Sequence, residues 1–421
     1  MLDLLRLYIP FKPEFVQGGE GYSYISAQVA IDDGVKGEVN LTKFSVPLSA
    51  RRIERDEDGF WKPSELTHPF EGLPSSFTDI AFKIISDGSY YPGVVLKASP
   101  AKVLQGHNVF GSTSIKTAAY EFLGLLSEVY PELYNALDIP CTQVTTMDVT
   151  FSARFASQRI LEDVIDFMRG VSIGQTKARK GCNYATTAYW GSEASRLKTV
   201  KAYLKEVEFF HQLTEMTKLA KRGDANAKRV VDAMTNPDVQ KWVKGLLRLE
   251  ASVKKRWLER RNLPTNLFQL VAYQERLAAD GRCFLQELWQ DCTTELFKAF
   301  EGMTMKVIDD DHVLDALKAK FYTMTPKGNI SYGKALRLFT FYRHLCEFGY
   351  SETKRVIPQK TLWRHMEDLV EAGLSRGYLQ GLEPNKTVSN VIPFIRLVPV
   401  DFGAQRPDNW IEPVSRFSQV A

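Results

Sequence analysis

TQVTTMDVTFS, residues 142–152, alternates as a strand. Strand side chains point to opposite faces in turn, so residues two apart share a face. Met147, Val149 and Phe151 therefore line one face, and Thr146, Asp148, Thr150 and Ser152 the other. Two more segments read the same way. In LLRLEASVK, Leu247, Leu249, Ala251 and Val253 oppose Arg248, Glu250, Ser252 and Lys254. In TVKAYLK, Val200, Ala202 and Leu204 oppose Thr199, Lys201, Tyr203 and Lys205. Joined in one sheet, the three strands would gather two carboxylates, one tyrosine and four basic side chains on one face. The plain alternative is a half-exposed antiparallel sheet whose polar face meets water.

Further strands are expected at 79–86 and 91–97, and a hairpin from 183–190 and 197–205 through GSEASR. Helical periodicity marks 115–128, 158–169, 207–221, 224–234, 237–244 and 283–301, the last closed by Gly302. Residues 1–75 read as short strands and loops. Beyond 302–310 the pattern is helical at 331–348, capped by Gly349, and at 359–372, capped by Gly373, before a strand-like VIPFIRLVPV at 391–400. Two helices and a strand hint at a winged helix, with Lys360, Arg364 and Asp368 outward; a plain helical packing unit explains the stripes better, since such stripes usually mark core.

The chain has 421 residues, 44% hydrophobic and 25% charged, which excludes a disordered or fibrous protein and gives two or three domains. No apolar run is long enough for a membrane span. The N-terminus carries Asp3 and Arg6 within its apolar run and does not read as a secretory signal. Five cysteines, none at CxxC spacing, fit a reducing cytosol.

Charge is unevenly spread. Residues 171–265 hold 20 Lys+Arg against 9 Asp+Glu, in a chain of net charge +4. The densest parts are GQTKARKG (174–181), KLAKRG (218–223) and KKRWLERR (254–261). A basic middle points to a polyanion such as nucleic acid, and solvated surface is the alternative. Lys177, Arg179, Lys180, Lys198, Lys201, Arg248, Lys254 and Lys255 are the candidate DNA contacts here, with Lys97 and Lys102 beside a glycine-flanked loop holding His107.

The polar face has a chemical reading. Carboxylates on adjacent strands supply hard oxygen ligands for Mg²⁺ or Mn²⁺. Asp148 and Glu250 are the candidate ligands, and His107 a candidate third. A metal there would polarise a phosphodiester that Tyr203 attacks. Lys205, two residues on, would lower the tyrosine pKa or neutralise the phosphate. No Walker A motif, KxDG, HExxH or GxSxG occurs, so no ATP site is expected.

KASPAKVLQGHNVFG (97–111), DVTFSAR (148–154), GQTK (174–177), AYLKEVE (202–208), LFKAFEG (296–302) and DFGAQRPDNWIEPV (401–414) resemble the gene II replication initiators of filamentous bacteriophages, end to end. The resemblance implies site-specific nicking of the viral strand at the plus origin of supercoiled double-stranded DNA, through a tyrosine–phosphodiester intermediate. Rolling-circle synthesis follows, and the displaced single strand is cut and circularised without ATP. It implies host helicase and polymerase as partners, self-association on the origin, no membrane, and the host bacterial cytoplasm. It puts the nucleophile at Tyr203 with Lys205 beside it, and matches Asp148 and Glu250 to acidic strand positions. A His-hydrophobe-His metal pair, found in related rolling-circle nucleases, is missing. Met305 lies where a shorter regulatory product of the family would start.

The expected fold is α+β: an antiparallel-sheet nuclease core with flanking helices, then a mainly helical C-terminal domain. The divisions fall at 1–75, 76–302 and 303–421. The enzyme reading is a metal-dependent DNA endonuclease and strand transferase. A non-catalytic origin-binding regulator is the alternative. A single-strand-coating protein fits the helical C-terminal part and the modest charge poorly.

Overall fold

The computed structural model describes residues 1–18, 29–31, 35–38, 44, 49–55, 61–67, 71–85, 91–155, 158–171, 186–192, 194–300, 310–324, 329–382 and 400–417. Eight strands build one sheet: β1 (Leu2–Pro10), β2 (Glu71–Leu73), β3 (Ile80–Ile85), β4 (Gly93–Ala98), β5 (Gln143–Arg154), β6 (Thr187–Trp190), β7 (Lys198–Leu204) and β8 (Leu246–Lys254). Their spatial order is β6-β7-β8-β5-β1-β4-β3-β2. Every neighbouring pair is antiparallel. The α+β class is thus established, with the hairpin at its expected place. Short strands at 17–18, 29–31 and 35–38, and at 49–55 and 61–67, form two small separate sheets.

The alternation decides which face is dry. Met147, Val149, Phe151, Leu247, Leu249, Ala251, Val253, Val200, Ala202 and Leu204 all enter one core. The helices in this part are α1 (Pro100–Gln105), α2 (Ile115–Val129), α3 (Pro131–Ala136), α4 (Gln158–Gly170), α5 (Lys205–Lys221), α6 (Ala225–Met234), α7 (Pro237–Val243), α8 (Lys255–Arg260), α9 (Leu267–Ala279) and α10 (Phe284–Phe300). α2, α4, α9 and α10 supply apolar side chains to the same core. A smaller apolar cluster joins Val109 and Phe110 to Phe209, Val230, Met234, Val239, Val243 and Leu246. It roofs one end of the opposite, polar face with α5–α7.

One placement differs from the sequence reading. Residues 2–10 are no peripheral segment packed on the core. β1 is a middle strand, hydrogen-bonded to β5 on one side and β4 on the other. Its pairing with β5 spans some 140 residues of chain, and its alternation is broken near its start. Leu2 faces Val149 and Leu4 faces Asp148, so Asp3 is an extra residue, a β-bulge.

α11 (Asp310–Lys320), α12 (Gly333–Val356), α13 (Gln359–Glu371) and α14 (Arg376–Gln380) pack around their own core, with Leu317, Leu338, Leu345, Leu362 and Leu369 at its centre. Gly349 bends α12 instead of ending it, through a φ of 77° and ψ of 161°, and helix resumes to Val356. Gly302, Met305 and residues 391–399 lie outside the described residues. Residues 400–417 form a strap that returns to the first core. Phe402 packs edge-on against Phe151 and Trp289, and Phe417 lies over Gly124, where a Cβ would collide with its ring. Among the described residues, no helix is long and apolar enough to cross a membrane.

Gly245 turns the chain from α7 into β8 with a φ of +69°. A Cβ there would run into the Phe155 carbonyl oxygen. Gly223 has a φ of +96° but open space around it. Gly223→Ala is expected to cost only the left-handed backbone strain, about 1–2 kcal/mol. Gly245→Ala should cost clearly more, and equal shifts in unfolding midpoint for the two variants would contradict this.

Candidate active site

Strand register fixes the layout of the polar face. Lys254, Thr146, Arg6 and Lys97 lie side by side across β8, β5, β1 and β4. One step along, Thr199, Ser252, Asp148 and Leu4 form the next row, with Asp3 bulged beside it. The third row is Lys201, Glu250 and Thr150, and the fourth Tyr203, Arg248 and Ser152. Rows two residues apart are spaced by ~6.5 Å along the strands. The face closes progressively along this direction. Lys97 is exposed, Arg6, Lys254 and Asp148 are half-buried, and Glu250, Arg248 and Tyr203 are buried.

Arg248 is 1% exposed. A charge so placed needs partners, and Arg248 finds them at its terminal nitrogens while its Nε has none. Its two terminal nitrogens donate to the carbonyls of Asn108 and Val109. One of them also stands 3.9 Å from the Asp3 carboxylate. Tyr203 stands directly across from Arg248 on the neighbouring strand, close enough for the guanidinium to act on its phenol. Asn108 ties the loop to the rest through its side chain: Nδ2 donates to Asp3 at 2.8 Å, and Oδ1 accepts from Lys205 Nζ at 2.8 Å. Lys205 also donates to Glu208. Burial and nearby Arg248 bring the Lys205 ammonium down to about 8.

Lys201 Nζ meets Glu250 Oε1 at 2.7 Å and lies 5.2 Å from the Tyr203 ring centre. Burial pushes Glu250 above the ordinary carboxylate range; Lys201 opposes this, and Asp148 and Asp3 add to it. Burial likewise raises Asp148, with Asp3 contributing. For Asp3, burial is outweighed by Arg248, Lys205 and the Asn108 donor, which hold it low. Burial raises the Tyr203 phenol well above its usual value; Arg248 pulls the other way. Asp148 Oδ1 is buried with no hydrogen-bond partner. An orphaned carboxylate oxygen beside a second, repelled carboxylate fits a hard divalent cation.

His107 does not join these two carboxylates. Its Nδ1 accepts from the Val109 N–H at 3.4 Å, and its ring packs edge-on against Phe110. Burial, then Lys205 and Arg248, bring it down to about 4, so it is neutral. Among the described residues, no three His, Cys, Asp or Glu side chains are grouped to hold a metal.

The other expected residues divide. Tyr203, Arg248, Glu250, Lys201, Asp148 and Lys254 do share one face. Tyr203, however, is only 9% exposed, because the 106–112 loop and α5–α7 roof its end. The cation set across from it is Arg248 and not Lys205: the strand ends at Leu204 and Lys205 opens α5, so the alternation stops there. Arg248 is too deeply buried for a surface DNA contact. Lys198 is on the other face, donating to the Cys292 carbonyl of α10 at 2.9 Å. Lys102 sits on α1 and adds positive potential around Asp3 and Glu208. Lys255 lies on α8, 3.9 Å from Glu259. Lys177, Arg179 and Lys180 lie outside the described residues. Asp3, Arg6, Asn108 and Glu208 were missed. The break in alternation at LDLL was the one available signal for Asp3.

Two family models of the phage replication-associated protein match this chain, the N-terminal model over residues 1–278 and the C-terminal model over 324–416. The replication-associated protein of Enterobacteria phage M13 is 39% identical over 424 residues, covering 99% of this chain and all of its own length. The protein of the same name from Salmonella phage IKe is 39% identical over 425 residues, covering all of this chain and 98% of its own length. No solved structure matches. With both halves matched and the alignment running end to end, the chain belongs to this family of phage replication-associated proteins, the gene II proteins.

Proposed function

We propose that this replication protein nicks the viral strand of supercoiled phage DNA at the plus origin, with Tyr203 as nucleophile. The observation that carries the reading is the convergence of Tyr203, Arg248, Glu250, Lys201 and Asp148 on one face of three neighbouring strands. The Tyr203 oxygen attacks the scissile phosphorus, and the bond from phosphorus to the 3′-oxygen breaks. The phenolic proton goes to solvent, and the released 3′-oxygen takes one up. The product is a 5′-phosphotyrosine and a free 3′-hydroxyl. The ester keeps the bond energy, so a later 3′-hydroxyl attack closes a circle without ATP. Arg248 stabilises the developing phenolate. Asp148 and Glu250 would hold Mg²⁺ or Mn²⁺. When bound, the ion would withdraw charge from the phosphate oxygens.

The exposed end of the face serves the substrate. Arg6 and Lys97 stand directly opposite each other, so this end of the face concentrates positive charge. Lys254 feels both of them. This row supports phosphate binding one step from Asp148. The free 3′ end would prime a host polymerase while a host helicase peels the old strand away, all in the host cytoplasm, with copies of the protein associating on the origin.

Tyr203→Phe should lower nicking by roughly four orders of magnitude and abolish the covalent adduct trapped in detergent, with origin binding retained. Equal nicking by wild type and variant would make Tyr203 structural and pass the attack to another tyrosine or to water, whereas no nicking by wild type would leave the origin-binding regulator as the better reading. Asp148→Asn and Glu250→Gln should each raise the Mg²⁺ concentration required or remove activity.

The pKa directions set the pH dependence. Raised Asp148 and Glu250 stay protonated further above the acid range, which weakens metal binding as pH falls. The raised phenol keeps phenolate scarce, so the nicking rate should climb throughout ~pH 6–9; a flat profile there would contradict the assignment. For binding, Arg6→Gln with Lys97→Gln should flatten the log–log salt slope for single-stranded DNA by ~0.7 per lost phosphate contact. Lys198→Gln should leave that slope unchanged.

A further inference from the structure

We infer that the strap at 400–417 positions the reactive face, with Trp410 and Gln105 as its positioning residues; this rests on the reading of Tyr203 above. Gln105 is the last residue of α1. Its amide nitrogen donates to the Phe110 carbonyl at 2.6 Å and the His107 carbonyl at 3.2 Å. It also meets His107 Nδ1 at 3.4 Å. One side chain thereby closes the turn whose middle carbonyls receive Arg248. An amide can do this only with its nitrogen toward the turn, since a flipped oxygen would face two carbonyl oxygens. The indole N–H of Trp410 donates to Gln105 Oε1 at 3.1 Å. An indole nitrogen can only donate, so this bond sets which way round the amide lies. The Trp410 ring also packs edge-on against Phe110.

A second contact reaches Arg248 from the other side. The pairing of β1 with β5 runs out at Met1, which exchanges hydrogen bonds with Thr150, and this leaves Ser152 without a neighbour from the N-terminal strand. Gln405 fills that place. Its amide accepts from the Ser152 N–H at 2.8 Å and donates to the Ser152 carbonyl at 2.9 Å. Ser152 is directly opposite Arg248, which is directly opposite Tyr203. The strap therefore holds both the loop under Arg248 and the strand beside it. It is itself anchored by Glu412 on Ser112 and by Ser415 on Glu121.

The test compares full-length wild type, Trp410→Ala, Trp410→Phe and Gln105→Leu, with Tyr203→Phe alongside. Single-turnover nicking of supercoiled origin plasmid is measured against pH, together with affinity for the same DNA and the unfolding midpoint. Trp410→Ala should slow nicking by about tenfold or more at unchanged affinity. Its rate should also rise only at higher pH, because Arg248 no longer supports the phenolate. Trp410→Phe keeps a ring against Phe110 but lacks the N–H, and should be slowed too. The Trp410→Ala, Gln105→Leu double variant should be no slower than the worse single one. If Trp410→Ala does not fold, Trp410→Phe decides. Wild-type rates in the folded Trp410 variants, or parallel loss of nicking and affinity, would overturn the inference. Normal nicking by Tyr203→Phe would instead overturn the reading on which it rests.

Discussion

A guanidinium buried at the centre of a sheet cannot be left unpaired, and Arg248 organises everything around it. Breaking a buried ion pair costs about 3–5 kcal/mol, so each partner of Arg248 is held to its place. Those partners come from distant parts of the chain, Asp3 from β1 and two carbonyls from the 106–112 loop, while Tyr203 stands across from it on β7. The bulge at Asp3, the sharp loop after α1 and the abrupt change from β7 to α5 all serve that pairing. Lys205 and Asn108 extend the network one step further.

The same face separates two jobs by burial. Near Lys97 and Arg6 it is open and basic, suited to a solvated polyanion. Near Tyr203 and Arg248 it is closed, where each charge acts through a medium much less screening than water. Asp148 and Glu250 stand between, close enough to repel each other and too buried to be well solvated. An incoming divalent cation would relieve that repulsion.

Much of this could be read from residue patterns. The alternation around Asp148, Tyr203 and Glu250 placed all three on one face, and register put them on adjacent strands. Three things were hidden. β1 as a middle strand depends on pairing with residues some 140 positions away, which local periodicity cannot reveal. Lys205 looked like a strand residue because its sequence neighbours alternate, yet helix begins there. Net positive charge in the middle of the chain suggested DNA contacts, but Arg248 and Lys198 are spent inside the fold. His107, the candidate third ligand, is instead a neutral acceptor within its own loop.

The strap gives the order of synthesis a consequence. β1 is made long before its partner β5, which is not complete until residue 154, and the sheet is not complete until residue 254. Residues 400–417, which close over β5 and the 106–112 loop, leave the ribosome last of the described segments. A nascent chain of three hundred or so residues has every strand of the sheet and lacks the clasp. The order of translation is thus an order of assembly: the polar face can form early, and its contacts with residues 400–417 can be made only after the helical C-terminal core has also been synthesised.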